Sequence, residues 1–462
     1  MALVLQGKMT KSEFIKHKKK CTVQPNAHLQ GKDKFKYGKP DPPFDVYRIT
    51  QKGLIFPKYY AFENINNYQH IHDSVIQEIS LPFSGTLRPH QIKSINCIKQ
   101  SYEKCGGALL CLGCGLGKTV VANYIISEMK EKTVVLVHKE FLLNQWKERI
   151  NMFLPNAKIG KVQGKIKDVK DKDIILVMLQ TIAMKDFEND LFSNVGQLIV
   201  DECHHIAARV FCNAMFKIPV KYTLGLSATP QRKDGLEYVI HWFLGPTVLT
   251  MENISENKVE VHIKHLDIEY PDEEYNKSGK LSLPNMITNL SLLEERNDKL
   301  VDITMDILNN NNSRKILILS ERRQQLKNLK ELFDAINISC GLYIGGMKET
   351  ELKNAESKQV ILSTYAMTSE GFDNPSLNTL IFATPKTNIE QSVGRILRKV
   401  HDINPIIIDI IDNYSLFKIQ GYQRTYFYKN KQYKLIKDKL NKEEDTQPPE
   451  CDTKLSEYAF DD

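Results

Sequence analysis

A chain of 462 residues exceeds what one hydrophobic core usually organises, so two or three domains are expected. With 42% hydrophobic and 26% charged residues, no apolar run near the roughly 18 that a membrane span needs and no secretory h-region, it reads as a soluble protein that stays inside a cell, without membrane contact. Its net charge of +7 is uneven, since residues 1–40 hold ten lysines against Glu13 and Asp33; its nine cysteines are irregularly spaced and read as reduced thiols.

In chain order, residues 1–85 mix lysine-rich sequence with the strand-like pieces "DVYRIT" and "GLIFPKYYAF", which suggests a small basic accessory module. From 86 to 255 the apolar runs "ALLCL", "TVVLVH", "DIILVML", "QLIVDE" and "YTLGLSATP" alternate with amphipathic stretches such as "EFLLNQWKERINMFL". Continuous apolar strands between helices predict a parallel sheet covered on both faces, an α/β fold. Residues 256–290 interrupt this rhythm with "VEVHIKHLDIEY" and an acidic, Gly- and Pro-containing stretch, expected to form an edge strand and a connector. The rhythm returns over 291–440 in "KILILS", "CGLYIG", "QVILST", "NTLIFATP" and "PIIIDII", which predicts a second α/β domain. Within it, residues 414–439 interleave lysines with Tyr422, Tyr426, Phe427, Tyr428 and Tyr433. Such a mixture suits a phosphate backbone and stacked bases, and equally suits a solvated amphipathic helix. Residues 441–462 read as a disordered acidic tail.

The chemistry concentrates at two strand ends. An apolar strand runs into Leu112, Gly113, Cys114, Gly115, Leu116 and Gly117, after which Lys118 and Thr119 open a helix-like stretch. Strand, glycine loop and helix are the context of a phosphate-binding loop, in which backbone N–H groups curl around phosphate oxygens and the helix N-terminus favours negative charge. Lys118 is the candidate for the β- and γ-phosphates of ATP, and Thr119 for Mg2+. The strict pattern has Gly where this chain has Leu112, and the alternative is a tight structural turn. The second strand end is "LIVDECHH", where Asp201 is placed to hold Mg2+ through water and Glu202 to polarise an attacking water. Zinc is not expected: Cys111 and Cys114 have no second CxxC pair, and Cys203, His204 and His205 are consecutive and cannot all face one ion.

From these residues the chain, over roughly residues 80–440, resembles the superfamily 2 helicases and translocases. "LRPHQ" looks like the family's adenine-reading element, which makes Arg88 and Gln91 candidate base contacts. "GCGLGKT" resembles motif I, "VVLVHKEFLLNQW" motif Ia, and "DECH" the DExH form of motif II. "LSATP" is similar to motif III, and the likeness implies that Ser227, Ala228 and Thr229 couple hydrolysis to strand movement. "YAMTSEGFD" looks like motif V, with Gly371 and Asp373 in coupling roles, and "QSVGRILRK" like motif VI. By the same resemblance Arg395 and Arg398 are arginine fingers, Gln391 meets His204, and Gln180, Thr181 and Thr364 touch nucleic acid.

The resemblance implies two tandem RecA-like domains behind the accessory module. It implies an ATP- and Mg2+-dependent motor that moves on nucleic acid, with DNA favoured over RNA. "ATPQRKDG", "ILSTYAMTSEGFDNPSLNTLIFATP" and "QSVGRILRKVH" look most like the xeroderma pigmentosum group B branch, which includes transcript-release helicases of poxviruses and other large DNA viruses. Transcription machinery is therefore a candidate partner. The rival readings are an RNA helicase, a motor subunit of a restriction-type complex, and a non-catalytic nucleic-acid scaffold.

Overall fold

The computed structural model describes residues 1–5, 7–25, 42–71, 75–113, 115–185, 187, 191–192, 194–203, 208–228, 235–251, 258–277, 279–369, 372, 374–399 and 401–437. The acidic stretch 441–462 lies outside them. The chain divides near residue 253 into two compact units.

The first unit begins with strand β1 (Ala2–Leu5), helix α1 (Lys11–Cys21), β2 (Thr22–Val23), β3 (Phe44–Asp45), β4 (Arg48–Thr50), β5 (Gly53–Phe56), α2 (Lys58–Asn64) and β6 (Gln69–His70). Among the described residues, β4, β5, β1 and β6 form an antiparallel sheet in that order. "GLIFPKYYAF" is not one strand. Pro57 ends it and stands at the helix N-cap, where its fixed φ and missing N–H cost nothing, and Tyr59, Tyr60 and Ala61 of the first turns of α2 are then buried. This helix docks the module: Tyr59 Oη lies 2.8 Å from Thr223 Oγ1, Lys58 Nζ donates to the Lys221 carbonyl at 2.6 Å, and the Tyr60 ring packs edge-on against Trp242 at 4.8 Å. Gly107 permits the approach, because a Cβ there would collide with the Tyr59 hydroxyl.

The unit continues through α3 (Pro89–Cys105), β7 (Gly107–Leu112), α4 (Lys118–Met129), β8 (Thr133–Val137), α5 (Glu140–Phe153), β9 (Ile159–Gln163), β10 (Ile166–Asp168) and β11 (Ile174–Met178). It ends with α6 (Leu179–Met184), β12 (Gln197–Val200), α7 (Ala208–Met215), β13 (Tyr222–Ser227), α8 (Glu237–Leu244) and β14 (Thr247–Met251). The strands lie in the order β10-β9-β11-β8-β12-β13-β7-β14, all parallel except the β9–β10 hairpin. Alternate residues of β7 serve opposite faces: Leu109 and Cys111 join one core with the accessory module, while Ala108, Leu110 and Leu112 join the other. Both faces are covered, which is why these strands read as unbroken apolar runs.

The second unit contains β15 (Glu260–Lys264), α9 (Leu283–Leu292), α10 (Glu294–Asn310), β16 (Ile316–Ser320), α11 (Arg323–Ala335), β17 (Cys340–Tyr343), α12 (Glu349–Ser357) and β18 (Val360–Thr364). It closes with α13 (Tyr365–Ser369), β19 (Thr379–Phe382), α14 (Glu390–Val393), β20 (Ile406–Ile410), α15 (Leu416–Asn430) and β21 (Lys434–Lys437). Its sheet is parallel throughout, in the order β17-β18-β16-β19-β20-β15-β21. The expected edge strand within 256–290 is therefore corrected: β15 has neighbours on both sides. It alternates because only Val261 and Ile263 point into a core while Glu260, His262 and Lys264 stay half-exposed. Two buried ion pairs, Arg296 with Asp412 and Arg424 with Asp409, fix the region around β20. Over its described residues the basic, aromatic 414–439 segment divides between core and surface: Phe417, Arg424 and Tyr428 are at most 1% exposed, while Tyr422, Tyr426, Lys429 and Lys434 stand in solvent.

Candidate nucleotide site

β7 delivers the glycine loop to the C-terminal edge of the first sheet. The Gly113 N–H is anchored on the Met251 carbonyl of neighbouring β14 at 2.8 Å, and Gly115 and Gly117 take φ of +82° and +83°, the left-handed conformation that glycine adopts without a Cβ penalty. Gly117 is the N-cap of α4, and no side chain caps that helix end. Its first-turn N–H groups and dipole thus face the loop that precedes them. Cys114 lies outside the described residues.

Lys118 and Thr119 follow at once, both half-buried. The Lys118 ammonium donates to the Leu112 carbonyl at 3.2 Å and lies 3.5 Å from Glu202 Oε1. Gln91, only 4% exposed, braces the loop from behind. Its Oε1 accepts the Arg88 N–H at 2.8 Å and its Nε2 donates to the Leu116 carbonyl at 3.4 Å, while His90 Nε2 lies 3.0 Å from the same carbonyl. Gln91 therefore ties the start of α3 to the glycine loop, and a Cβ on Gly117 would strike its amide.

β12 brings Asp201 and Glu202 to the same sheet edge, separated from β7 by one strand, β13. The Asp201 N–H donates to the Leu136 carbonyl at 3.1 Å, and its buried carboxylate accepts from two sides. Trp146 Nε1 donates to Oδ2 at 2.7 Å, and the Glu202 N–H donates to Oδ1 at 2.9 Å. Glu202 reaches its position at φ +46°, a conformation uncommon for a residue with a Cβ and worth about 1–3 kcal/mol of local strain. Burial, followed by the adjacent Glu202 charge, pushes the Asp201 carboxyl up to about 6, against the opposing pull of Lys118 and the two hydrogen bonds.

These groups fit a nucleotide with a divalent cation. The uncapped helix end and Lys118 suit a phosphate chain, and the Thr119 hydroxyl and Asp201 supply hard oxygen donors. Among the described residues no cluster of three or more His, Cys, Asp or Glu could hold an ion by itself. Mg2+ is commonly held by one or two protein oxygens together with phosphate oxygens and water.

The remaining sequence candidates are distributed as follows. Ser227 ends β13, 1% exposed, directly between the two strand ends, and Ala228 follows it half-buried. His204, Thr229, Gly371 and Asp373 lie outside the described residues. Gln180 donates to the His138 carbonyl at 2.8 Å, joining α6 to the turn after β8. Thr181 is 8% exposed, and its hydroxyl accepts the Gly164 N–H at 3.0 Å, so it holds the β9–β10 turn. In the second unit Thr364 ends β18, 9% exposed. Gln391, half-buried, sits on α14; Arg395 is 4% exposed and donates to the Phe372 carbonyl at 2.9 Å; Arg398 is half-buried. The sequence reading did not single out Trp146. Its only signal was an aromatic position on the apolar side of an amphipathic helix, which reads as packing.

Residues 84–232 match the family model described as the res subunit of type III restriction enzymes, and residues 296–400 match the helicase conserved C-terminal domain. A protein of Acanthamoeba polyphaga mimivirus, provisionally named an ATP-dependent RNA helicase, is 37% identical over 414 residues, covering 85% of this chain and 78% of its own. A protein of African swine fever virus, with the same provisional name, is 30% identical over 363 residues, or 72% of this chain and 70% of its own. The solved structure of UvsW from phage T4 aligns over 93% of this chain and 96% of its own, with 16% identity and a TM-score of 0.35. With an ATP-binding domain and a helicase C-terminal domain in series, and relatives spanning both, the chain belongs to the superfamily 2 helicases, ATP-dependent motors built on two RecA-like domains.

Proposed function

We propose that this ATP-dependent helicase runs on DNA and serves transcription, in the manner of transcript release, or repair. The observation that carries the hydrolytic assignment is the meeting of Lys118 and Glu202 beside the doubly held Asp201. Lys118 takes the β- and γ-phosphates. Thr119 and Asp201 would hold Mg2+, which supplies positive charge to the phosphate oxygens during transfer. Glu202 accepts a hydrogen bond from the attacking water and aligns it for in-line displacement. By their motif VI likeness Arg395 and Arg398 are the candidate arginine fingers for the transferring phosphoryl group, and Arg395 also donates to the Phe372 carbonyl.

The DNA assignment draws on the group B likeness of "ATPQRKDG" and "QSVGRILRKVH" and on the DECH form of motif II. Phosphates, rather than base edges, are the gripped groups, so stimulation should depend weakly on sequence and fall steeply with salt. A second reading, an RNA track, is favoured by the provisional names of the mimivirus and African swine fever virus relatives. One ATPase titration with single-stranded DNA, duplex DNA and RNA of equal length at fixed salt separates the two. Greater stimulation by DNA supports the proposal, and activation by RNA alone replaces it with the second reading.

A further inference from the structure

We propose that Trp146 is a positioning residue for magnesium-dependent turnover, its indole N–H fixing the rotation of the Asp201 carboxylate and so the direction of the lone pairs left for the metal. This rests on Asp201 being a metal-holding carboxylate.

A carboxylate on a two-torsion side chain can rotate unless both oxygens are held. Here Oδ2 is held by Trp146 Nε1 at 2.7 Å and Oδ1 by the Glu202 N–H at 2.9 Å, so two donors from different directions define one orientation. The backbone hydrogen bond belongs to the turn itself, which leaves the indole as the side-chain contribution. A bond of 2.7 Å to a buried carboxylate is short, and hydrogen bonds to charged acceptors are the stronger ones. Each carboxylate oxygen keeps lone-pair capacity beyond the one donor described for it.

The donor is itself immobile. Trp146 is 1% exposed and packs in the same core as Leu142, Leu143 and Ile150 of its own helix α5. That helix follows β8, the strand beside β12, and the Asp201 N–H is bonded to the Leu136 carbonyl of β8. Strand, helix and carboxylate are thus one rigid assembly. The large ring fills the core, but a buried indole N–H must also find an acceptor, and here Asp201 is that acceptor. Groups that hydrogen-bond a metal-ligating carboxylate orient it, and their loss typically costs about 10- to 100-fold in metal affinity or activity.

The test uses the full-length chain with a fluorescent ATP analogue, first in EDTA and then titrated with Mg2+. Trp146→Phe, which keeps an aromatic ring and removes the donor, should bind the analogue in EDTA as the wild type does, while its half-saturating Mg2+ concentration rises about 10- to 100-fold. Asp201→Asn should raise it as well, and the double variant should add little to the larger single effect, as expected for residues acting through one contact. If Asp201→Asn raises the Mg2+ requirement and Trp146→Phe does not, the positioning role is overturned and Asp201 keeps its assignment. If Asp201→Asn leaves the requirement unchanged, both are overturned. Should Trp146→Phe not fold, the wild-type chain decides. It has two tryptophans, so the Trp146 indole N–H resonance can be assigned by its persistence in Trp242→Phe. A shift of that resonance between the Mg2+-free and Mg2+-saturated nucleotide complexes supports the role, and an unmoved resonance overturns it.

Discussion

Lys118 Nζ lies 3.5 Å from Glu202 Oε1, so the cation of the glycine loop and the second carboxylate of the DECH strand end share one small region of the first sheet edge. Their charges have different tasks. Lys118 meets the nucleotide in its ground state, and charged hydrogen bonds contribute about 1.5–3 kcal/mol, so Lys118→Ala should weaken ATP binding about 10- to 100-fold. Glu202 acts on water, so Glu202→Gln should keep nucleotide affinity within about threefold while turnover falls about 10²- to 10⁴-fold. Titration with a fluorescent ATP analogue beside a phosphate-release assay checks this, and equal affinities in the two variants would contradict the division.

The Asp201 carboxyl carries a pH signature. Its pKa is near 6 in the folded chain against an ordinary 3.8, so between about pH 4 and 6 the folded state binds more protons than the unfolded. Stability attributable to this group therefore falls as pH rises through that window, and the cost of the buried charge is complete above it. Two pKa units correspond to about 3 kcal/mol at most, reduced in a variant by the one hydrogen bond that an amide cannot accept. In metal-free, nucleotide-free protein, Asp201→Asn should melt above the wild type at pH 7.5, with the gap closing toward pH 4.5. A gap independent of pH would show that ionisation of Asp201 is not its source.

Arg395 and Arg398 stand only three residues apart but differ in setting. Arg395 is almost fully buried with a guanidinium bond to the Phe372 carbonyl, while Arg398 is half-buried. Arg398→Ala should therefore fold normally, bind nucleotide and lose about 10³-fold or more in turnover. Arg395→Ala should lose turnover and also stability, by about 1–3 kcal/mol, because a buried carbonyl is left without its donor. Urea unfolding of both variants beside steady-state ATPase rates separates the two. Equal stability of the pair would mean that the Phe372 contact carries no structural weight.

The α/β class was legible because strands such as β7, β8, β16 and β18 are buried along their whole length and leave unbroken apolar runs. The strands missed or misplaced are those with an uncovered face: β9 and β10 went unnoticed, and β15 was expected at a sheet edge. β9 and β15 both alternate buried and half-exposed residues, which resembles an edge or a loop, and β10 is exposed throughout. Asp201 and Glu202 could be located because they end an apolar run, and Lys118 because a glycine loop leads from an apolar run to the helix it opens. Trp146 could not, since its polar atom meets Asp201 across 55 residues and an apolar pattern does not register one N–H. Thr181 shows the converse: a motif position marked a polar residue, and the fold spends its hydroxyl on the Gly164 turn.

The 414–437 region offers the sharpest separation between a binding surface and a core. Arg424 donates from Nε to both oxygens of Asp409 and from Nη2 to the Ile410 carbonyl, and its Nη1 donates to the Lys386 carbonyl, with both side chains of the ion pair at most 1% exposed. Burial alone would discourage that charge, but the Asp409 carboxylate and its hydrogen bonds hold the guanidinium protonated more firmly than usual. Arg424→Ala strands a buried carboxylate and should cost about 3–5 kcal/mol, whatever nucleic acid is present. Tyr422 and Tyr426, at 48% and 68% exposed, should each tolerate alanine within about 0.5 kcal/mol. Lys431 and Lys434 already face Glu390 at 3.3 Å and Glu260 at 2.8 Å, so neutralising them should change the salt slope of nucleic-acid stimulation little. The solvent-facing Tyr422 and Tyr426 are the segment's candidates for base stacking, which is worth about 1–3 kcal/mol per base. The Tyr422→Ala, Tyr426→Ala double variant should then weaken single-strand stimulation at least tenfold with its urea midpoint unchanged, and stimulation equal to wild type would rule out base stacking on these two rings.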